Sequence, residues 1–251
     1  KHTDMRTFGS ELQKAARIAF PCGNRSRYSS VYVLMFSWES EDWRLPVSEE
    51  IAALRKVFEE IYHYKVEEFK IPDHRSHNKV SAKINDFIGI NDDQSDDLKI
   101  VYYAGHARLS KTKEVVWARS SETTEKCSTV TWTGIQADLQ QAQSDALILL
   151  DCCYAGVVDG GEGNGVTELL AACSFNSEAN GVGHYSFTTA LTIELKAISK
   201  RKSFTIGELY ANMYRRTQSH MARGVPNERY PPPTHVLLRT DEKLHRCIQL
   251  S

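Results

Sequence analysis

A histidine and a cysteine follow two apolar segments of the chain. His106 comes after Leu98–Tyr103, and Cys153 comes after Ala146–Asp151. A cysteine needs a nearby base or cation to ionise near neutral pH, and a histidine can act as that base. Attack on an amide carbonyl also needs N–H donors for the oxyanion, which the backbones of Ala107 and Cys153 could supply. Either residue alone is more often structural, but together they indicate a nucleophilic catalyst.

Alternating strand and helix patterns surround these two residues. Apolar runs rich in β-branched and aromatic residues predict strands, and apolar residues at helical spacing predict helices. The strands are expected at Val31–Ser37, Lys65–Ile71, Leu98–Tyr103, Ala146–Asp151, Val166–Ala172 and His235–Arg239, with a hairpin near Glu114–Arg119. The helices are expected after Pro46, at Ser76–Ile88, after Gly134, at Ser186–Ile198 and at Thr205–Met221. This order predicts an α/β fold with a mostly parallel sheet covered on both faces, whose active site lies where the strands end.

Two short motifs carry a resemblance to a known family. Tyr102–Ala107 (YYAGHA) resembles the Y-S-G-H-G segment around the metacaspase histidine. Asp151–Gly156 (DCCYAG) resembles the D-S-C-H-S-G segment around the metacaspase cysteine. The chain is therefore similar to fungal-type members of the caspase–metacaspase clan over about residues 31–239. The resemblance implies a His106–Cys153 dyad and a caspase-like three-layer sandwich, with a mostly parallel six-stranded sheet and helices on both faces.

The motif also separates two adjacent thiols. Cys153 stands three residues before Gly156, as the family nucleophile does, whereas Cys152 takes the place of the family's serine. Neighbouring residues of a strand point to opposite faces, so one thiol can face the cleft while the other packs under the sheet. Cys153 is the expected nucleophile.

The chain departs from the family pattern in three places. Ala107 replaces the glycine that follows the histidine, so one oxyanion donor carries a Cβ. Tyr154 replaces the histidine beside the nucleophile, and the connection after Cys153 is the short segment Val157–Gly165. The expected organisation is an N-terminal extension (1–30) and one peptidase domain (31–251). That domain would comprise a large-subunit-like part (31–156), a linker (157–165) and a small-subunit-like part (166–251).

Two acidic residues are candidates for substrate binding. In metacaspases the Asp two residues before the nucleophile favours Arg or Lys at P1, the residue before the scissile bond, and Asp151 has that position. The alternative for Asp151 is a structural role as a cap. Asp42 is a weaker candidate for a second acidic wall, the alternative being that Glu39–Asp42 is a solvated loop.

No cofactor or metal ligand is predicted. No C-x-x-C or H-x-x-x-H spacing occurs, which gives no support to a zinc site. Calcium dependence is left open by the resemblance, because many metacaspases need calcium, although Asp159 and Glu162 do not form a dense ligand loop. The acidic residues of 91–97 are expected to form a solvated turn.

Charge and hydropathy limit which classes of binding partner and which cellular location are expected. Lys plus Arg total 31 and Asp plus Glu total 32, so a nucleic-acid or anionic-membrane partner is not expected. The apolar runs are too short for a membrane span, and no charged-then-apolar pattern argues for secretion, so a secreted protein is not expected. Six cysteines with two adjacent in a strand pattern favour reduced thiols and a cytoplasmic location. The expected partners are protein or peptide substrates and a fused or associated regulatory domain.

The leading functional prediction is a cysteine endopeptidase that cleaves after Arg or Lys. One alternative is a catalytically weak caspase-like interaction module, consistent with Ala107. Another is a caspase-like enzyme that prefers an acidic P1 residue. A role in cell death or defence is implied by the resemblance alone.

Overall fold

The centre of the structure is a six-stranded sheet. The computed structural model describes residues 26–122, 127–153, 165–174, 179, 181–219, 231–240 and 246–251. In chain order the strands are β1 (Ser30–Trp38), β2 (Lys65–Ile71), β3 (Asp97–Ala104), β4 (His106–Leu109), β5 (Val115–Ala118), β6 (Thr129–Thr131), β7 (Asp145–Asp151), β8 (Thr167–Ala171), β9 (Phe204–Thr205), β10 (Thr234–Arg239) and β11 (Gln249–Leu250). The central sheet has the order β10-β8-β7-β3-β1-β2, in which all neighbours are parallel except β10 and β8.

Helices cover both faces of this sheet. They are α1 (Ser48–Lys56), which continues into a π-helical turn (Val57–Ile61), α2 (Ser76–Ile88), α3 (Trp132–Gln141), α4 (Phe187–Ile198) and α5 (Ile206–Ser219). Val33 and Met35 of β1 pack into one core with α1, α4 and α5. Leu34 and Phe36 face the opposite way, into a second core with α2 and α3. The alternation follows from the two-residue period of a strand, and it confirms the three-layer sandwich.

Two small sheets complete the described structure. β4, β5 and β6 form an antiparallel sheet, and β9 pairs with β11. The predicted hairpin near Glu114–Arg119 is part of the first of these, because β5 pairs with β4 on one side and with β6 on the other. The expected helix after Gly134 begins two residues earlier, at Trp132.

The prediction of a solvated turn at 91–97 is wrong for Asp97 and holds only in part for Asp93, whereas Asn91, Asp92 and Asp96 are exposed. Asp97 opens β3 and is fully buried, where it accepts a hydrogen bond from Asn91 at 2.8 Å. The Asp93 carboxylate accepts hydrogen bonds from the backbone N–H groups of Gln143 (2.6 Å) and Ser144 (3.0 Å). The Asp93 carboxylate therefore joins the turn to the segment before β7, and Asp97 is bonded within the turn to Asn91.

The last residues of the predicted N-terminal extension pack on the fold. Tyr28 is buried, and its hydroxyl donates to Asp145 Oδ2 at 2.9 Å. Arg27 forms an ion pair with the same oxygen at 3.0 Å and also donates to the carbonyl oxygen of Cys247. The folded part thus begins before Val31. Several residues discussed from the sequence lie outside the described residues: Cys22, Tyr154, Gly156 and the linker residues 157–164, which include Asp159 and Glu162.

Candidate active site

β3 and β7 are neighbours, and their ends are in register. Ala104, the last residue of β3, pairs with Asp151, the last residue of β7. Just beyond the strands, the N–H of Gly105 donates to the carbonyl oxygen of Asp151 at 3.3 Å. His106 and Cys153 each lie two residues past this pair. The structure therefore brings the two sequence-predicted residues to one edge of the sheet at equivalent positions.

The backbone of His106 is held by two buried aromatic residues. Tyr103 donates its hydroxyl proton to the carbonyl oxygen of His106 at 2.7 Å, and Trp38 Nε1 donates to the Tyr103 hydroxyl at 3.1 Å. The Tyr103 ring stacks on Trp117, with centroids 3.9 Å apart and an interplanar angle of 4°. Burial raises the pKa of Tyr103, so the hydroxyl keeps the proton that it donates. Sequence reasoning missed Trp38 and the donor role of Tyr103.

Gly105 is needed for this close approach. Its φ is +154°, and a Cβ at this position would lie 2.6 Å from the Tyr103 hydroxyl oxygen. A side chain would displace the tyrosine that holds His106. The glycine between the end of β3 and the start of β4 is thus explained by geometry.

The imidazole of His106 contacts a carboxylate from the loop after β1. Nε2 lies 3.0 Å from Asp42 Oδ2, and both side chains are largely buried. The other oxygen, Oδ1, accepts the backbone N–H of Arg44 at 3.0 Å. The pKa of Asp42 is lowered, first because of the Arg44 N–H and then because of His106. Asp42 is therefore ionised at neutral pH beside the histidine.

The Asp42 loop is fixed at several points. Glu41 accepts hydrogen bonds from the N–H (2.8 Å) and the hydroxyl (3.1 Å) of Ser48 at the start of α1. The N–H of Leu45 donates to the Asp42 carbonyl oxygen at 2.8 Å. These contacts show that the acidic cluster is only partly a solvated loop. Whether Asp42 also contacts substrate stays a prediction.

The two adjacent thiols have different environments. Cys152 is 2% exposed and packs in the core shared with α2 and α3, where burial raises its pKa well above the ordinary value. Cys153 is partly exposed. A buried thiol with a raised pKa is a poor nucleophile, so this difference favours the assignment of Cys153.

Ala107 lies in β4 opposite Trp117 and has an ordinary negative φ. Its side chain is 9% exposed and packs in the same core as Cys152. The Cβ that replaces the family glycine thus fills the core. The predicted oxyanion role of the Ala107 and Cys153 N–H groups stays a prediction.

Asp151 interacts with the start of α4. Its Oδ2 accepts the backbone N–H of Thr188 at 3.1 Å and the Thr188 hydroxyl at 2.6 Å. Burial raises the pKa of Asp151 to about 7, and the nearby Glu50 carboxylate acts in the same direction. A capping role, the alternative considered from sequence, is thus present; a role in substrate binding stays a prediction.

Sequence reasoning missed the further contacts that fix the start of this helix. The Thr188 hydroxyl shares a 2.6 Å hydrogen bond with the buried hydroxyl of Tyr102. Glu50 Oε1 accepts the N–H of Gly183 at 2.8 Å and the Ser186 hydroxyl at 2.9 Å. Ser186 in turn caps α4 through the N–H of Thr189. The only sequence signal was the Ser and Thr residues before the apolar pattern of α4.

The described residues show neither a metal centre nor a disulfide bond. They contain no group of three or more His, Cys, Asp or Glu side chains arranged to hold a metal ion. Asp93 and Asp97 accept hydrogen bonds from the protein itself. A dependence on calcium is not tested by these contacts. No disulfide bond joins the five described cysteines.

The fold and this strand edge define a caspase-like class of protein, and comparisons agree. The family model described as Caspase domain matches residues 44–230, which is more than half of the chain. The chain therefore belongs to the caspase/metacaspase-type cysteine peptidase family. No curated protein sequence matches it.

Solved structures show the same fold. Caspase-1 from Spodoptera frugiperda is 15% identical with a TM-score of 0.59, and the match covers 86% of this chain and 89% of that one. The Drosophila initiator caspase Dronc is 9% identical with a TM-score of 0.59, covering 90% and 84%. A structure of pro-sf-caspase-1 is 14% identical with a TM-score of 0.54, covering 86% and 94%. At these identities the likeness establishes the fold alone.

No helix in the described part of the chain has the length and apolar character needed to cross a membrane.

Proposed function

We propose that this chain is a cysteine endopeptidase that cleaves protein substrates after Arg or Lys. The observation that carries the proposal is the register of β3 and β7, which brings His106 and Cys153 to one edge of the sheet. Family membership supports it, because the caspase-domain family consists of cysteine peptidases.

The dyad mechanism follows from these positions. His106 takes the proton of Cys153, and the thiolate attacks the amide carbonyl of the substrate. His106 then returns the proton to the leaving amine, and an acyl-enzyme remains. Water attacks the thioester with His106 as the base, and the released thiolate recovers its proton. The N–H groups of Ala107 and Cys153 are proposed to stabilise the oxyanion of each tetrahedral intermediate.

The basic preference is supported by the acidic groups at the same edge. Asp42 is ionised, and Asp151 is a carboxylate whose pKa is raised to about 7 by burial and by Glu50. A guanidinium or ammonium placed next to Asp151 would favour its ionised form and gain a charge-assisted hydrogen bond. Asp151→Ala should therefore lose activity on basic substrates more than it loses stability.

One observation favours the acidic P1 alternative. Arg119 lines the small pocket that also contains Asp42 and His106. Its guanidinium already interacts with Asp73 at 3.6 Å, which reduces its capacity to bind a substrate carboxylate. The basic preference is therefore the better supported of the two.

The test uses matched peptides that differ only at P1, with Arg, Lys or Asp, assayed with wild type and Cys153→Ala in calcium and in chelator. Cleavage of the Arg and Lys peptides by wild type alone supports the proposal. Cleavage of only the Asp peptide would overturn the basic preference. Turnover of none, with retained binding to protein partners, would favour the interaction-module alternative. A cytoplasmic site of action stays a prediction from the cysteine pattern, and a target in a cell-death or defence pathway stays a prediction of the family resemblance.

A further inference from the structure

We infer that Asp42 is a positioning residue for His106, an inference that rests on the proposed function. The starting point is the 3.0 Å contact between Asp42 Oδ2 and His106 Nε2. A neutral imidazole carries its proton on one nitrogen and a lone pair on the other. An ionised carboxylate beside Nε2 favours the form with the proton on Nε2. The lone pair of Nδ1 is then the one that accepts the Cys153 proton.

The geometry of the loop makes Asp42 suitable for this task. Its Oδ1 is occupied by the Arg44 N–H at 3.0 Å, and its own carbonyl oxygen accepts the Leu45 N–H at 2.8 Å. The Arg44 N–H therefore holds the side chain of Asp42, and the Leu45 N–H holds its main chain. Because the orientation of the Asp42 carboxylate is fixed, its contact with Nε2 restrains rotation of the His106 imidazole. This effect is separate from the compensation of charge.

The same contact stabilises the charged intermediate of the reaction. When His106 takes the thiol proton it becomes an imidazolium, and the adjacent carboxylate lowers the free energy of that cation. The backbone of His106 is fixed independently by Tyr103 at 2.7 Å. Asp42 and Tyr103 thus restrain the ring and the main chain of one residue from two sides.

This role differs from the acidic wall that the sequence predicted for Asp42. A wall residue contacts the P1 side chain, so its loss raises KM for basic substrates. A positioning residue acts through His106, so its loss lowers kcat for every substrate and slows reactions of the thiol that involve no P1 residue.

The experiment measures alkylation of Cys153 by iodoacetamide at pH 7, with the modified residue identified by peptide mass spectrometry. The variants are His106→Ala, Asp42→Asn and Asp42→Ala. Asp42→Asn keeps an acceptor for the Arg44 N–H and removes the charge, so it guards against misfolding. Glu39→Gln, which removes one charge from an exposed position of the same loop, is the matched control. Melting curves accompany each variant.

We expect Asp42→Ala to slow alkylation about 10- to 100-fold, the range of a hydrogen bond to a charged group, with a smaller loss for Asp42→Asn and none for Glu39→Gln. On peptides, kcat should fall by a similar factor whichever residue occupies P1. Alkylation of Asp42→Ala at the wild-type rate, with His106→Ala slow, would overturn the inference and leave the dyad standing. A selective rise in KM for Arg and Lys peptides would assign Asp42 to the pocket instead. Equal alkylation of wild type and His106→Ala would refute the dyad itself.

Discussion

The N–H of Gly105 donates a hydrogen bond to the carbonyl oxygen of Asp151, 3.3 Å away. This bond continues the β3–β7 ladder by one residue beyond the last strand pair. The histidine segment and the cysteine segment therefore leave the sheet side by side. A substitution that moves the backbone of one segment should therefore also move the backbone of the other. Substitutions at this point are thus informative about the proposed dyad.

Cys153→Ala should abolish peptidase activity, whereas Cys152→Ala should retain a measurable fraction. Cys153 is partly exposed at the strand edge, and Cys152 is 2% exposed in the core. His106→Ala should lose as much as Cys153→Ala, and the double variant no more, because the two residues act as a unit. Steady-state kinetics on an Arg peptide measures the activity of these four variants. An inactive Cys152 variant with an active Cys153 variant would reverse the assignment.

Gly105→Ala should lower both activity and stability. An added Cβ would lie 2.6 Å from the Tyr103 hydroxyl oxygen, and the φ of +154° is unfavourable for alanine. The strain is expected to cost about 1–3 kcal/mol of unfolding free energy and to move the carbonyl oxygen that Tyr103 holds. Chemical denaturation and kcat/KM measure the two effects.

Gly134→Ala is the matched control for this substitution. Gly134 lies within α3, and an added Cβ meets no atom within 4 Å. Alanine in a helix is more stable than glycine by about 1 kcal/mol, so this variant should be slightly stabilised and fully active. Equal effects of the two substitutions would exclude a special role for Gly105.

The sheet, and the placement of His106 and Cys153 at the same end of it, could be predicted from sequence because both leave local patterns. Buried parallel strands such as β3 and β7 are continuous apolar runs, and the motif residues follow them directly. The contact of Asp42 with His106 could not be predicted, because the residues are 64 positions apart and meet only through the shape of a loop. The contacts of Asp145 could not be predicted either. Its buried carboxylate interacts with Arg27 from the N-terminal segment and with Arg246 near the C-terminus. From the sequence alone, a charged residue at the start of a strand is predicted to be exposed, because its ion-pair partners are distant in the chain.

The pKa of Asp151 predicts a pH dependence of stability. The folded-state pKa of about 7 exceeds the ordinary value of 3.8, so the folded protein binds this proton more tightly than the unfolded chain does. The unfolding free energy should therefore fall as the pH rises from about 4 to about 7, and then level off. The loss is at most about 4 kcal/mol, because one pKa unit corresponds to about 1.4 kcal/mol.

Asp151→Asn isolates this effect, because asparagine can still accept a hydrogen bond from Thr188 but does not ionise. The difference in melting temperature, variant minus wild type, should increase by several degrees between pH 5 and pH 8, at about 2–4 °C per kcal/mol. A difference that is constant over this range would show that Asp151 has no raised pKa. A difference that decreases with rising pH would mean that folding lowers the pKa of Asp151 instead of raising it.

The last prediction is that the enzyme is active as one uncut chain. Caspase-type enzymes are often cut in the linker after the nucleophile, but Val157–Gly165 contains no Lys or Arg. A basic-specific peptidase therefore has no site for itself there. The far end of the linker is also firmly held: Arg239 donates to the carbonyl oxygen of Gly165, and the Val166 N–H donates to Asp145 Oδ1 at 2.7 Å.

Control of such an enzyme would come from a neighbouring domain, a bound partner or assembly, since cleavage of the linker would not supply it. Intact-mass spectrometry of the purified protein, taken while it turns over an Arg peptide, should give one species. Asp159 and Glu162 remain as acidic sites in the linker. Two fragments divided between Val157 and Gly165 would refute the uncut chain. Cleavage after Asp159 or Glu162 would also contradict the basic preference, because a peptidase specific for Lys and Arg has no site in this linker. Cys153→Ala then decides whether the chain cuts itself, because a chain without its nucleophile should stay intact under the same conditions, whereas fragments that persist in this variant come from another peptidase.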